Sequence, residues 1–297
     1  MKRHFLLCAA IGAVCLFASA WAHATIFGVA GEYNAFILND LDAIGGDTEG
    51  RLAAGRNATM QWYSVGSRSP DSHGTLNHLV VGNDLNAIGK WQVYGGNTVY
   101  GGQVINAPST LPPNTISQGN PIDFAAAAAH VRDLAAELAS LPANGSSWYQ
   151  WSTLNIVADD PVLNVVTIDP AHWAAASDRQ ITAPAGSTLI INIPGSSHSM
   201  QGGLSLHGVD QAHVLYNFFE STSIDAKHIA VLGSVLAPYA TVSLSGGSFD
   251  GNTIAFNAIQ RNGGEFHNHP FVGIPEPATG ALLLCCSAAF LLCRRRG

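Results

Sequence analysis

The chain has 297 residues, of which only 11% are charged, with 13 Lys and Arg against 20 Asp and Glu for a formal net charge of −7. That balance argues against nucleic acid, whose binding needs a basic footprint, and no glycine-rich phosphate loop follows a strand to hold a nucleotide cofactor. All five cysteines, Cys8, Cys15, Cys285, Cys286 and Cys293, lie near the two ends, so the long middle offers no disulfide, thiol nucleophile or thiolate ligand.

At the N-terminus, Lys2 and Arg3 precede an apolar run over 5–17, and Ala22-His23-Ala24 follows it. This is the pattern of a secretion signal, with Ala22 and Ala24 as the small residues of the cleavage site. The run is shorter than the ~20 residues a membrane span needs. The mature chain is therefore expected to start at Thr25, and residues 25–274 then carry 8 basic against 19 acidic groups, a net −11.

Asp40, Asp42, Asp47 and Glu49 crowd four acids around Gly45-Gly46. They offer oxygen ligands for calcium, although the spacing fits neither an EF-hand nor a calcium β-roll, and a solvated acidic loop is the plainer reading. Gly82-Asn83 and Gly96-Asn97 interrupt apolar runs, as Gly251-Asn252 does later, and these residue types suit sharp chain corners.

Asn120, Pro121 and Asp123 open an amphipathic segment whose apolar stripe is Phe124, Val131, Leu134, Leu138 and Leu141, and Pro142 and Gly145 end it. The pattern predicts a helix over about 121–141. Its stripe must be buried, against the side of a β domain or as a linker between two domains. Trp148, Tyr149 and Trp151 come next, the densest aromatic cluster, able to stack on sugar rings or to pack beneath the helix. Asp159, Asp160, Asp169 and Asp178 supply the carboxylates that a polysaccharide-cleaving β-helix would need.

From residue 189 onward, β-branched runs recur over 189–193, 213–216, 229–236, 241–244 and 253–256. Taking Ile191, Val214, Val235 and Ile254 as centres gives steps of 23, 21 and 19 residues, near one circuit of a β-solenoid. A sandwich with hairpin turns is the alternative. Glu265, His267 and His269 fall on one side of a strand and could ligate zinc, or stand exposed and uncoordinated. Neither a Gly-x-Ser-x-Gly elbow nor a sustained Thr-x-Thr ladder occurs.

The tail runs Pro275-Glu276-Pro277, an uncharged apolar stretch over 278–293, and Arg294-Arg295-Arg296. It predicts a short transmembrane helix with its arginines held on the cytoplasmic side. This three-part tail resembles the PEP-CTERM sorting signal of Gram-negative bacteria. The resemblance implies an exosortase-type processing enzyme as partner, with Pro275, Glu276, Pro277, Arg294, Arg295 and Arg296 as the signal.

The middle resembles the choice-of-anchor A family of adhesins. The matching blocks are Phe36-Ile37-Leu38-Asn39-Asp40, Glu49-Gly50-Arg51-Leu52-Ala53-Ala54-Gly55, Tyr63-Ser64-Val65-Gly66, Gly233-Ser234-Val235-Leu236-Ala237-Pro238 and Gly264-Glu265-Phe266-His267-Asn268-His269-Pro270-Phe271. The resemblance implies a mainly β fold, a right-handed β-helix of adhesin or ice-binding-like outline with one long flanking α-helix, and no catalytic or cofactor residue. The expected layout is a signal peptide over 1–24, the adhesin-like domain over 25–274 and the sorting tail over 275–297. The expected function is a surface or matrix adhesin, anchored at the cell envelope or released after processing, that contacts extracellular polysaccharide or another surface ligand. A polysaccharide-cleaving enzyme and an ice-binding protein are the alternatives.

Overall fold

In the computed structural model, residues 26–106 and 116–274 are described. The expected signal peptide, with Ala22 and Ala24, and the sorting tail from Pro275 to Arg296 lie outside them. No described helix is long and apolar enough to cross a membrane.

The chain first makes nine strands: β1 (Ala35–Ile37), β2 (Leu41–Thr48), β3 (Leu52–Ala54), β4 (Ala58–Val65), β5 (Asn77–Val81), β6 (Leu85–Val93), β7 (Asn97–Tyr100), β8 (Val104–Ile105) and β9 (Ile116–Gln118). Helix α1 (Phe124–Ser140) follows, then β10 (Ser146–Gln150), β11 (Thr153–Val157), β12 (Leu163–Thr167), the short α2 (Pro170–Ala175), β13 (Asp178–Ala183), β14 (Thr188–Asn192), β15 (Ser197–Met200) and β16 (Gly203–Gly208). The last strands are β17 (Val214–Asn217), β18 (Ser223–Leu232), β19 (Ser234–Asp250), β20 (Thr253–Arg261) and β21 (Gly264–His267).

All pairings but one are parallel, and they wrap the chain into a three-sided solenoid. The first side runs β9-β7-β5-β3-β1-β20-β19-β17-β14-β12. The second runs β8-β6-β4-β2-β20-β19-β18-β15. The third takes the far halves of β6, β4 and β2, then β21, β19 and β18. Beyond β18, β16 adjoins and leads a four-stranded end sheet, β16-β13-β11-β10, in which only β10 is antiparallel.

The order of strands on the first side departs from a simple winding. Residues 35–118 climb one way, α1 returns beside the stack, and the chain restarts at the far end and winds back until β20 pairs with β1. The solenoid is closed by two segments over 200 residues apart, Ala35 opposite Thr253.

First-side strands from β5 to β14 are buried on both surfaces, which is why they read as unbroken apolar runs rather than as alternation. Ile37, Leu52, Leu79, Leu189, Tyr216 and Val235 point into the axial core. Phe36, Ala53, Val80, Ile190, Leu215, Leu236 and Ile254 point out, into a second core completed by Ala127, Val131, Ala135 and Leu138 of α1. At ~1.5 Å per residue the 17-residue helix is ~25 Å long, enough to cross the strands from β1 to β14 at ~4.8 Å each. Asn217 Nδ2 donates to Ala135 O at 2.9 Å and Asn192 Nδ2 to Leu138 O at 2.9 Å, so buried amides from the sheet bind helix carbonyls. A linker helix between two domains is thereby ruled out.

Three details correct the sequence expectation. The helix begins at Phe124, not 121, because Ile122 is buried in the second core and Asp123, not Asn120, caps it by accepting from Ala126 N. The apolar run 229–236 is cut at Gly233, whose φ of 137° ends β18 and starts β19 around a corner. The register steps are 25, 19 and 18 residues, Ile190 to Leu215, Tyr216 to Val235 and Leu236 to Ile254, because corners of different length separate sides of constant register.

Candidate functional site

On the second side, inward positions are mostly apolar, with His198 and Gln260 as buried exceptions, and outward positions are mostly polar. One outward row runs Ser199, Asp225, Ser243, Ile259, Asp42, Thr59 and Asn86. The neighbouring row runs Lys227, Ser245 and Arg261, continuing on the other stack with Ile44, Gln61 and Ile88. Cross-row ion pairs tie Arg261 to Asp42 and Lys227 to Asp225. Where the second side turns into the third, six consecutive coils place His228, Gly246, Asn262, Gly45, Trp62 and Gly89 in the left-handed region. Trp62 is unusual there: it is 59% exposed, and its ring lies over Gly89 of the next coil.

The four acids considered as calcium ligands are separated. Asp40 pairs with Arg56, whose hydrogen bond holds its carboxyl below the usual range, and Asp42 pairs with Arg261. Asp47 and Glu49 lie instead on the third side, where Asp47 is in register with Glu265. There they join two other acids around His267: its Nδ1 is 2.9 Å from Asp250 Oδ1 and its Nε2 is 3.0 Å from Glu265 Oε2. Glu49 accepts from Asn268 N and pairs with Arg68 at 2.7 Å. Burial works against the His267 cation, but the Glu265 hydrogen bond and the charges of Asp250 and Glu49 outweigh it and raise the pKa. Burial likewise raises the Asp47 carboxyl. His269 stands apart and exposed. Two members of each candidate group thus converge in one ionic cluster, and among the described residues no group of three or more His, Cys, Asp or Glu side chains has a metal-holding arrangement.

Of the four carboxylates considered for glycan cleavage, Asp159 is exposed and the other three hold local hydrogen bonds. Asp160 accepts from Val162 N and Leu163 N, Asp169 caps α2 through Ala171 N, and Asp178 accepts from Gln180 Nε2. Of the aromatic trio, Tyr149 faces inward, its ring stacked 5.8 Å from that of His172 and its hydroxyl donating to Ala175 O, so it does not serve as a stacking platform. Trp148 and Trp151 are exposed at 43% and 89%. A separate shallow hollow of about 430 Å³ lies at the first coil, where Arg51 sits 4.3 Å over the Tyr33 ring beside Glu32, Asp71 and His78.

These features define a class: a helix-braced β-solenoid that presents broad outer sides to its surroundings. A model of the ice-binding-like adhesive domain matches residues 26–268, and the chain belongs to that family. Among curated protein sequences none matches. Solved structures to which the chain is similar include an ice-binding protein from the Antarctic ascomycete Antarctomyces psychrotrophicus, at 12% identity over 82% of this chain and 98% of that one, with a TM-score of 0.42. Another is an ice-binding protein from an Antarctic biological consortium, at 14% identity, 84% and 93% coverage and a TM-score of 0.41. A third is the ice-binding protein of an Arctic yeast, at 12% identity, 85% and 97% coverage and a TM-score of 0.33.

Proposed function

We propose that the chain is an exported, non-catalytic adhesin that holds a ligand against the outside of its solenoid. The observation that carries this reading is the distribution of its polar groups: outward rows on an in-register sheet, with three of the four candidate catalytic aspartates, Asp160, Asp169 and Asp178, occupied in capping or in bonding a neighbour. Hydrolysis of a glycan needs two carboxyls facing one bond about 5–10 Å apart. The family match to an adhesive domain supports the same reading. Retention at the cell envelope, and processing by an exosortase-type enzyme, rest on the sequence of the tail alone. The test presents the full chain to glycan and matrix-protein arrays and analyses the glycans afterwards: capture with no shortening is expected, and no capture on any array, or shortened products, overturns the proposal.

Ice is the second reading, favoured by hydroxyls at successive outward positions of the second side, Ser223 beside Thr241 and Ser197. Against it, ion pairs of Asp42 with Arg261 and Asp225 with Lys227 interrupt the hydroxyls on the same side. Thermal hysteresis at high protein concentration decides between ice and other surfaces.

A further inference from the structure

The end sheet carries a second arrangement whose chemistry is specific. Along β11, Leu154 and Ile156 point inward, so Asn155 points outward, and its partner across the antiparallel pair is Trp148. Asn155 is in register with Gln180, and Gln180 with Ser205. Four adjacent strands therefore present a ring, two amides and a hydroxyl in one row, ~14 Å long at ~4.8 Å per strand. Gln180 is fixed from both ends: its Nε2 donates to Asp178 Oδ2 at 2.8 Å, and its Oε1 lies 2.6 Å from His207 Nε2, which donates to it. So held, the amide still has one N–H and one lone pair to offer outward.

The hairpin that joins β10 to β11 begins two residues beyond Trp148. Gln150 pairs with Thr153, leaving Trp151 and Ser152 as a two-residue turn with φ of 49° and 65°. Such turns favour Asn-Gly, and a tryptophan with positive φ is strained. The turn itself is held through Ser152, whose carbonyl accepts from Ser177 N and Asp178 N, so the strain at Trp151 brings no anchoring that Asn would lack. A strained, nearly fully exposed aromatic beside an exposed one on a hydrogen-bonding row is the pattern of a ligand platform.

We propose that this surface binds a neutral polysaccharide chain, with the Trp148 and Trp151 rings stacking on sugar faces and Asn155 and Gln180 bonding hydroxyls. Flat rings match the apolar faces of sugars, and amides, which both donate and accept, match hydroxyls, which do the same. The charge selects the neutral class: the domain carries a net −11 over 25–274, the Asp178 carboxylate adjoins the row, and none of the described residues of the row is a Lys or Arg, so a uronate polymer meets repulsion. The assignment rests on the adhesin reading and narrows it to one ligand class and one surface.

Affinity electrophoresis of the full chain in gels containing soluble β-glucan, galactomannan or mannan, with alginate as the anionic comparator, tests it. Retardation by at least one neutral polymer and none by alginate is expected. Trp148→Ala and Gln180→Ala should each weaken it by about tenfold. Trp151→Asn should weaken it too while leaving the melting temperature unchanged or higher, an outcome a purely structural tryptophan would not produce. Retardation by alginate alone, equal retardation of all three variants and the wild type, or capture on protein arrays without any on neutral glycans overturns the platform but leaves the adhesin reading standing. Failure to bind any glycan or protein surface removes both.

Discussion

His267 stands between Asp250 and Glu265 with Asp47 and Glu49 close by, and the sign of its shift fixes how stability moves with pH. A folded-state pKa raised above the ordinary value of 6.5 means that the folded chain holds the proton more tightly than the unfolded one. The stabilisation is then complete below 6.5 and is lost as pH rises through the raised value. Asp47, also raised, acts in the same direction, whereas His78 and His198, whose cations burial disfavours, lose stability on acidification instead. His267→Gln should therefore lower the melting temperature on the acid side of this window, converge on the wild type on the alkaline side, and leave the histidine-driven acid loss intact. Melting curves across the range check it, and a constant offset at every pH would show that the ring matters only for packing. In the sequence four members of this cluster are visible in two unrelated groups, Asp40 to Glu49 and Glu265 to His269, while Asp250 stands in neither. What unites them is the parallel register of Asp47 with Glu265, a pairing across more than 200 residues that no local pattern encodes. The same register sends Asp40 and Asp42 to the other side of a corner, onto arginines.

Among elements, α1 was the most legible and the strands of the first half the least. An apolar stripe at helical spacing needs no partner to be recognised, and Val131 and Leu138 are buried as their spacing requires. Its start was misplaced because Asn120 and Pro121 form a good capping pair whose place the burial of Ile122 overrides. The segment Asn39-Asp40-Leu41-Asp42-Ala43-Ile44-Gly45 reappears as Asn83-Asp84-Leu85-Asn86-Ala87-Ile88-Gly89, 44 residues on. That is two coils of the solenoid, β2 to β4 to β6, and it was the signal by which the early coils could have been found. The helix is docked by more than its stripe: Asn217 Nδ2 reaches both Ala135 O and Asn192 Oδ1, and all of this is buried. Asn217→Ala leaves those acceptors unpaired in a dry interface and should cost about 1–3 kcal/mol. Asp123→Ala, which removes only the exposed cap, should cost about 1 kcal/mol. Chemical denaturation of both variants checks the order. Equal costs would mean that water reaches the helix interface.

At the scale of the whole molecule, the return of the chain through α1 makes the junction between the two stacks the place where the fold is completed. There β1 lies between β3 and β20, and two buried asparagines stitch the stacks together. Asn34 Nδ2 donates to Gly251 O and His267 O, while Asn252 Nδ2 donates to Tyr33 O and its Oδ1 accepts from Phe271 N. Without this seam each stack would expose the edge of a parallel sheet, an arrangement prone to pairing with other chains. Pairings this distant in sequence also place the seam late in folding, after the loop-closure entropy of nearly the whole chain has been met. Asn252→Ala strands the Tyr33 carbonyl and the Phe271 amide in a buried site and should cost about 2–3 kcal/mol. Its consequence should reach both stacks, because opening the seam frees β1 and β20 from each other at once. Hydrogen exchange resolved by segment tests this: amides of Ala35–Ile37 and Thr253–Ala255 should accelerate together in the variant, with the far strands β12 and β14 retaining their protection until global unfolding. Acceleration confined to residues around 252 and 271, with β1 as protected as in the wild type, would show that the stacks are held by apolar contact with α1 and not by the asparagine seam.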